Sequence, residues 1–294
     1  MGTLFLSETT RAAVQGITGK VGRAQTHWML KAGTPLVAGV TPGKRGEVVE
    51  GLSVYNMVQE AVQEQGVNAS VIFVPAPFAR EAAFEAIQAG LELVVIVTEH
   101  IPMRDTMEIK ARANLSSTVV IGPNCPGIYI PGAGKLGIMP ESIFQRGHIG
   151  VVGRSATLSY EVIANLSDAG LGQSAAIGVG GDPVICTEFT DVLRIFEADP
   201  DTHGVVLVGE IGGSGEERAA EMIATMTKPV VALIAGKAAP PGRRFGHAGA
   251  IIRGSSGSAQ QKIDMLREAG VSIARSPAEI PQLMKERLRE CLPA

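Results

Sequence analysis

The strongest constraint on this chain is a recurring unit: a short run of valine and isoleucine, a glycine turn, then a helical pattern. Apolar runs at residues 12–14, 36–40, 71–74 and 93–97 alternate with helical periodicity near 24–31, 57–63, 79–89 and 106–113. Uninterrupted apolar strands separated by helices form parallel sheets covered on both faces. After a strand at 119–121, the alternation lapses between Gly122 and Gly147, where Pro123, Pro126, Pro131 and Pro140 fall. It resumes with strands at 149–152, 175–179, 205–208 and 230–234 and helices near 158–169, 188–197, 216–226 and 259–269. A short strand at 271–273 and a helix at 277–288 are expected to close the chain. With 294 residues, about twice the common domain size, two α/β domains are expected, with their boundary in the proline-rich lapse.

Composition narrows the class of function. Aromatic residues make up 4% and glycines number 36, which suits tight turns between Val/Ile strands better than an antiparallel sandwich. A net charge of -3 and no long basic cluster argue against nucleic acid as a partner. No basic leader and no run of membrane-spanning length occurs, so a soluble cytoplasmic protein is expected. Cys125, Cys186 and Cys291 are odd in number and widely spaced, which supports neither a disulfide framework nor a zinc site. His27, His100, His148 and His203 have no i,i+4 partner, and all four are taken as structural or exposed; no metal site is expected in this chain.

The first glycine signal is Gly16-Ile17-Thr18-Gly19-Lys20-Val21-Gly22, directly after the first strand and opening a helix. Turn glycines there expose backbone amides and a helix N-terminus to phosphate. The second strand ends in Thr41-Pro42-Gly43-Lys44-Arg45, where an NAD-binding domain would place an acid for the ribose hydroxyl. A cation here suits a phosphorylated ribose, that of NADP or the 3'-phosphate of coenzyme A. Val74-Pro75-Ala76-Pro77 and Val97-Thr98-Glu99 end the next strands at the same sheet edge, where ligands of open α/β sheets collect.

In the second half, Val152-Gly153-Arg154-Ser155-Ala156-Thr157-Leu158-Ser159-Tyr160 again feeds a strand into a helix. Free amides at the helix start, with the hydroxyls of Ser155 and Thr157, form an anion site. Thr157 stands where a serine-hydrolase elbow needs glycine. The densest signal is Gly242-Arg243-Arg244-Phe245-Gly246-His247-Ala248-Gly249-Ala250. One imidazole among small residues can attack phosphorus if its other nitrogen's proton is held by an acceptor. Glu210, in Gly209-Glu210-Ile211-Gly212-Gly213 at a strand end, is the candidate acceptor. Gly178-Val179-Gly180-Gly181-Asp182 is a further glycine-dense strand end suited to close backbone approach.

Together these segments, with Gly122-Pro123-Asn124-Cys125-Pro126-Gly127, resemble the α subunit of succinate–CoA ligase, almost end to end. The resemblance implies a Rossmann-like CoA-binding domain over residues 1–125, a connecting segment over 126–147, and a flavodoxin-like ligase domain over 148–294. It implies CoA contacts at Thr18, Gly19, Lys20, Val21, Lys44, Val97, Thr98 and Glu99, with Pro75 on the same wall. Ser155, Ala156 and Thr157 would bind phosphate and Tyr160 the acyl substrate. His247 would be the phosphorylated histidine and Glu210 its carboxylate partner.

The implied chemistry runs from ATP or GTP to His247, from His247 to a carboxylate, and from the acyl phosphate to the CoA thiol. This chain has no Walker-type phosphate loop, so the nucleotide and Mg2+ are expected on an ATP-grasp β subunit, in an αβ or α2β2 assembly. Three residues depart from the family pattern: Ala156 for the usual glycine, Lys20-Val21-Gly22-Arg23 after the CoA-site glycine, and Phe245 for methionine. A methyl group at 156 bears on the acyl pocket, and ligases acting on malate or citrate share the same motifs. An NADP-linked oxidoreductase would leave His247 idle; a non-catalytic CoA-binding protein is the alternative from another class.

Overall fold

The computed structural model describes residues 5–240, 244–252 and 257–291. Gly242, Arg243 and the side chain of Cys291 lie outside them. The chain divides into two compact units, one of residues 5–139 with 184–187, the other of residues 140–183 and the described residues from 188 onward.

The first unit runs β1 (Ala12–Gln15), α1 (Lys20–Lys31), β2 (Leu36–Val40), β3 (Val48–Val49), β4 (Leu52–Tyr55), α2 (Val58–Gln65), β5 (Ala69–Ile72), α3 (Ala76–Gln88), β6 (Leu93–Ile96), α4 (Met103–Asn114), β7 (Val119–Ile121), β8 (Gly127–Ile130) and β9 (Gly134–Gly137). Strand β1 is wholly buried and lies between β2 and β5, Val14 facing Gly39 on one side and Val71 on the other. Its parallel sheet reads β4-β2-β1-β5-β6-β7, with β3 antiparallel on β4 at the edge. Numbered along the chain, the parallel strands stand in the order 3-2-1-4-5-6, that of dinucleotide-binding folds, whose ligands sit where the order reverses. The apolar core joins this sheet to Val58 and Ala61 of α2, Ala79, Ala83 and Ala86 of α3, and Ile109 and Ala113 of α4. Small alanines on α3 let that helix lie close to the strands.

Two pairs of strands are not legible in the sequence. The β3–β4 pair is short, with Gly46 (φ 93°) just before it and Gly51 (φ 81°) in its turn. The hairpin β8–β9 lies within the segment expected as a connector, and its register pairs Ile128 with Leu136.

The second unit runs β10 (Arg146–Gly153), α5 (Ala156–Asp168), β11 (Gln173–Gly178), α6 (Phe189–Ala198), β12 (Gly204–Glu210), α7 (Gly215–Ile223), β13 (Val230–Ala235), α8 (Ala259–Glu268), β14 (Ser272–Ile273) and α9 (Ile280–Cys291). Its parallel strands stand as β14-β13-β12-β10-β11, the flavodoxin order, again with one reversal point. Helix α6 docks through Phe189, Val192, Leu193 and Phe196, a buried stripe at helical spacing. Helices α5 and α8 start on serines whose hydroxyls accept from backbone, Ser155 from Leu158 N at 3.4 Å and Ser258 from Gln261 N at 3.2 Å. Both units are α/β sheets, and each gathers its candidate residues at the carboxyl ends of its parallel strands. Among the described residues no helix is long and apolar enough to cross a membrane.

Candidate functional site

In the first unit, a cleft of about 830 Å3 opens where β1, β2 and β5 end. Thr18, Gly19, Lys20, Val21 and Pro75 all line it. Helix α1 starts at Gly19 with neither a side-chain cap nor an acid in its first turn, so its leading amides and dipole face the cleft uncompensated. Gly22 is what lets the helix come this close: a Cβ there would stand 2.2 Å from the carbonyl oxygen of Gly16. Thr18 Oγ1 donates to Thr41 Oγ1 at 3.2 Å, joining the turn to the end of β2. Exposed Val21 and Phe78 add apolar surface beside the amides. The lining therefore offers both an anion cradle and an apolar wall.

The remaining strand-end residues lie outside that lining. Lys44 is exposed and paired with Glu47 at 2.9 Å. Arg45 is committed to Glu60 at 2.7 Å and Glu64 at 2.8 Å, whose charges hold its guanidinium above its usual pKa. Thr98 Oγ1 donates to Val74 O at 2.7 Å, tying the ends of β5 and β6, with Val97 half-buried and Glu99 exposed beside it. Asn124 N donates to Thr98 O at 3.0 Å and Cys125 Sγ to Ile96 O at 3.2 Å, so the Pro123-Asn124-Cys125 turn packs on this same strand end.

In the second unit, the loop carrying His247 is tied to itself and to the turn after β11. Ala250 N donates to His247 O at 3.1 Å, and Gly249 N to Gly181 O at 3.0 Å. The imidazole rests on bare backbone, for a Cβ at Gly181 would stand 2.3 Å from His247 Cγ. Its Nδ1–H donates to Glu210 Oε2 at 2.8 Å and Oε1 at 3.0 Å. Glu210 is nine-tenths buried at the end of β12, while the His247 side chain keeps 28% of its surface exposed. The Glu210 hydrogen bond raises the His247 pKa; burial and the Arg154 charge oppose it, and Asp182 assists. With Nδ1 engaged, Nε2 is the ring nitrogen left to react.

Helix α5 begins with half-buried Ser155 and Ala156 and exposed Thr157, and half-buried Tyr160 opens its second turn. Ser155 Oγ accepts from its own helix, which leaves its proton to donate to an anion.

Three residues beside this pair carry charge that no pattern in the chain announces. Arg154 is 7% exposed, and its Nε has no hydrogen-bond partner among the described residues. Glu216 and Lys262 are fully buried and paired with each other. Arg154 falls within the strand–helix segment, yet its burial is a tertiary fact. A lysine on amphipathic α8 would ordinarily be assigned to the solvent face.

Residues 7–100 match the CoA binding domain family and residues 152–272 the CoA-ligase family. Over 285 residues the chain is 55% identical to the succinate–CoA ligase (ADP-forming) subunit alpha of Methanothermobacter thermautotrophicus, covering 97% of each. It is 52% identical over 283 residues to subunit alpha 2 of the Archaeoglobus fulgidus ligase, covering 96% of this chain and 99% of that one. The chain belongs to the succinate–CoA ligase α-subunit family. Its fold also matches ATP citrate lyase of Methanosaeta concilii in complex with (3S)-citryl-CoA, with a TM-score of 0.88 at 24% identity, over 99% of this chain and 52% of that one. The dinucleotide-forming acetyl-coenzyme A synthetase 1 of Ca. Korarchaeum cryptofilum matches with a TM-score of 0.74 at 21% identity, over 91% of this chain and 58% of that one. This succinate–CoA ligase family member thus spans about half the length of the solved chains it matches, and at such identities they speak for the fold alone. The family's two matched segments fall on the two sheets, the first holding the cleft and the second the His247–Glu210 pair.

Proposed function

We propose that this chain is the α subunit of an acid–CoA ligase that forms succinyl-CoA from succinate, CoA and a nucleoside triphosphate through phosphorylated His247. The hydrogen bond from His247 Nδ1 to Glu210 carries the reading, because it fixes the tautomer whose free Nε2 can attack phosphorus. In the first step a P–N bond forms at Nε2 as the bond from the γ-phosphorus to the departing diphosphate breaks. Glu210 stabilises the ring cation that results. In the second, a substrate carboxylate oxygen takes the phosphoryl group and the P–N bond breaks. In the third, the CoA thiolate attacks the acyl carbon and inorganic phosphate leaves.

The α5 N-terminus with Ser155, Ala156 and Thr157 is suited to the phosphoryl oxygens, and Tyr160 to the acyl substrate. The cleft at Thr18, Gly19, Lys20, Val21 and Pro75 fits CoA, its amides taking phosphate and Val21 and Phe78 a flat ring. Lys44, Val97, Thr98 and Glu99 complete that site in this reading; Lys44 would exchange Glu47 for the ligand's phosphate. With no Walker-type phosphate loop of its own, the chain would receive ATP or GTP, and the Mg2+ that accompanies it, from a β subunit with an ATP-grasp domain. Three widely spaced cysteines with no C-x-x-C pairing suit the reducing cytoplasm.

The deciding measurement combines this chain with its β partner and γ-labelled ATP, then adds succinate, malate or citrate with CoA. Label on His247 that succinate discharges supports the reading. Discharge by malate or citrate would move the assignment to those acids, and an active partner that leaves His247 unlabelled would sink the mechanism.

A further inference from the structure

Behind the His247–Glu210 pair lies a second set of charges, all withdrawn from water. Glu216, in the first turn of α7, is fully buried, as is Lys262 of α8, and Arg154 is 7% exposed. Glu216 Oε1 accepts the backbone N–H of Glu210 at 3.1 Å and faces Arg154 Nε at 3.5 Å. Its Oε2 pairs with Lys262 Nζ, which also donates to Gly212 O at 2.7 Å in the turn after Glu210. Gly209 leaves the room this requires: a Cβ there would stand 2.8 Å from Glu216 Cγ and 2.9 Å from its Oε1.

Stability is a weak reason for such a cluster, since apolar residues of similar volume in place of a buried ion pair are often neutral or stabilising. What apolar residues cannot do is hold a particular backbone amide and a particular guanidinium in one arrangement. We propose that Glu216 is a positioning residue for phosphoryl transfer: one carboxylate sets the Glu210 backbone and the Arg154 guanidinium together, and Lys262 locks it in place. Among the described residues, Glu210, Arg154 and Asp182 act on His247 through charge. Glu216 holds Glu210 through the Glu210 backbone N–H and stands 3.5 Å from Arg154 Nε, so the balance between them follows its geometry. Loss of that carboxylate loosens Glu210 and leaves the Arg154 charge uncompensated. Both changes disfavour the imidazolium.

This inference rests on the proposed phosphohistidine reading, and the test separates the two. With the β partner and γ-labelled ATP, the wild-type chain first establishes whether His247 is labelled at all. Glu216→Leu with Lys262→Met removes both charges and the acceptor oxygen; Glu216→Gln with Lys262→Met restores the oxygen alone. The Leu/Met variant is expected to label about tenfold more slowly, the scale of losing an orienting partner, with nucleotide KM unchanged. Its His247 titration midpoint, followed by NMR of the imidazole, is expected to fall, and the Gln/Met variant is expected to recover part of both. A folded Leu/Met variant with wild-type labelling and an unmoved midpoint overturns the proposal. If that variant does not fold, the Gln/Met variant decides by the same two readouts; failure of both to fold makes the pair a core element and removes the positioning role. An unlabelled wild type overturns the phosphohistidine reading instead, while the titration still tests whether Glu216 governs His247.

Discussion

His247 and Glu210 set what one residue can be asked. In the proposed mechanism the neutral ring is the nucleophile, and the raised pKa of His247, caused first by its hydrogen bond to Glu210, moves the pH at which that form appears. Phosphorylation is therefore expected to increase with pH through an inflection above the ordinary histidine value of about 6.5. A rate–pH profile of labelling with an inflection at or below that value would contradict the assigned partner. Glu210→Gln is expected to slow labelling about a hundredfold, the scale of losing a ring-orienting carboxylate, and to bring the inflection down. Wild-type turnover in that variant would leave Glu210 a turn residue. Both residues were legible in the sequence, one as a histidine among small residues and the other as an acid at a strand end. Arg154, Glu216 and Lys262 were not, because their significance lies in burial. Nothing in the order of residues along α8 says that Lys262 points inward.

At the scale of an element, helix starts matter most. Helix α1 approaches the cleft because Gly22 has no side chain. Gly22→Ala would drive a methyl group into the Gly16 carbonyl, a backbone atom that cannot step aside without moving the turn. The expected cost is about 1–3 kcal/mol of stability, typical of overpacking, with weakened CoA binding; urea unfolding and calorimetric titration read the two. Unchanged CoA affinity in a folded variant would remove the α1 start from the site. Helix α5 depends on Ser155, whose loss by Ser155→Ala is expected to cost about 1 kcal/mol as a cap and to slow labelling of His247 as well. Loss of stability without loss of rate would assign Ser155 to the cap alone. The β3–β4 and β8–β9 pairs show where element-level reading stops. Each strand is only two to four residues long and held by its hairpin partner across the ladder, too short to leave a periodic mark.

Across the whole molecule, the proposed CoA cleft and the proposed phosphoryl site belong to separate sheets. His247→Ala is expected to abolish ligation and leave CoA affinity within about threefold, less than 1 kcal/mol; joint loss of both would contradict independent sites. The periodicity of Val/Ile runs and helices was enough to determine two parallel α/β sheets, because a strand buried on both faces has little choice but to be apolar throughout. The glycine turns after β1 and the serine before α5 likewise marked helix starts with free amides, since these follow from local geometry. Strand order was not determined that way, nor was the pairing of Lys44 with Glu47 outside the cleft lining. The contacts that orient His247 come from the end of β12 and the turn after β11, brought together only when the strands assume the order β14-β13-β12-β10-β11. Local sequence chooses the chemistry available at each strand end; long-range packing alone decides which ends meet, because it depends on the burial of surfaces far apart in the chain.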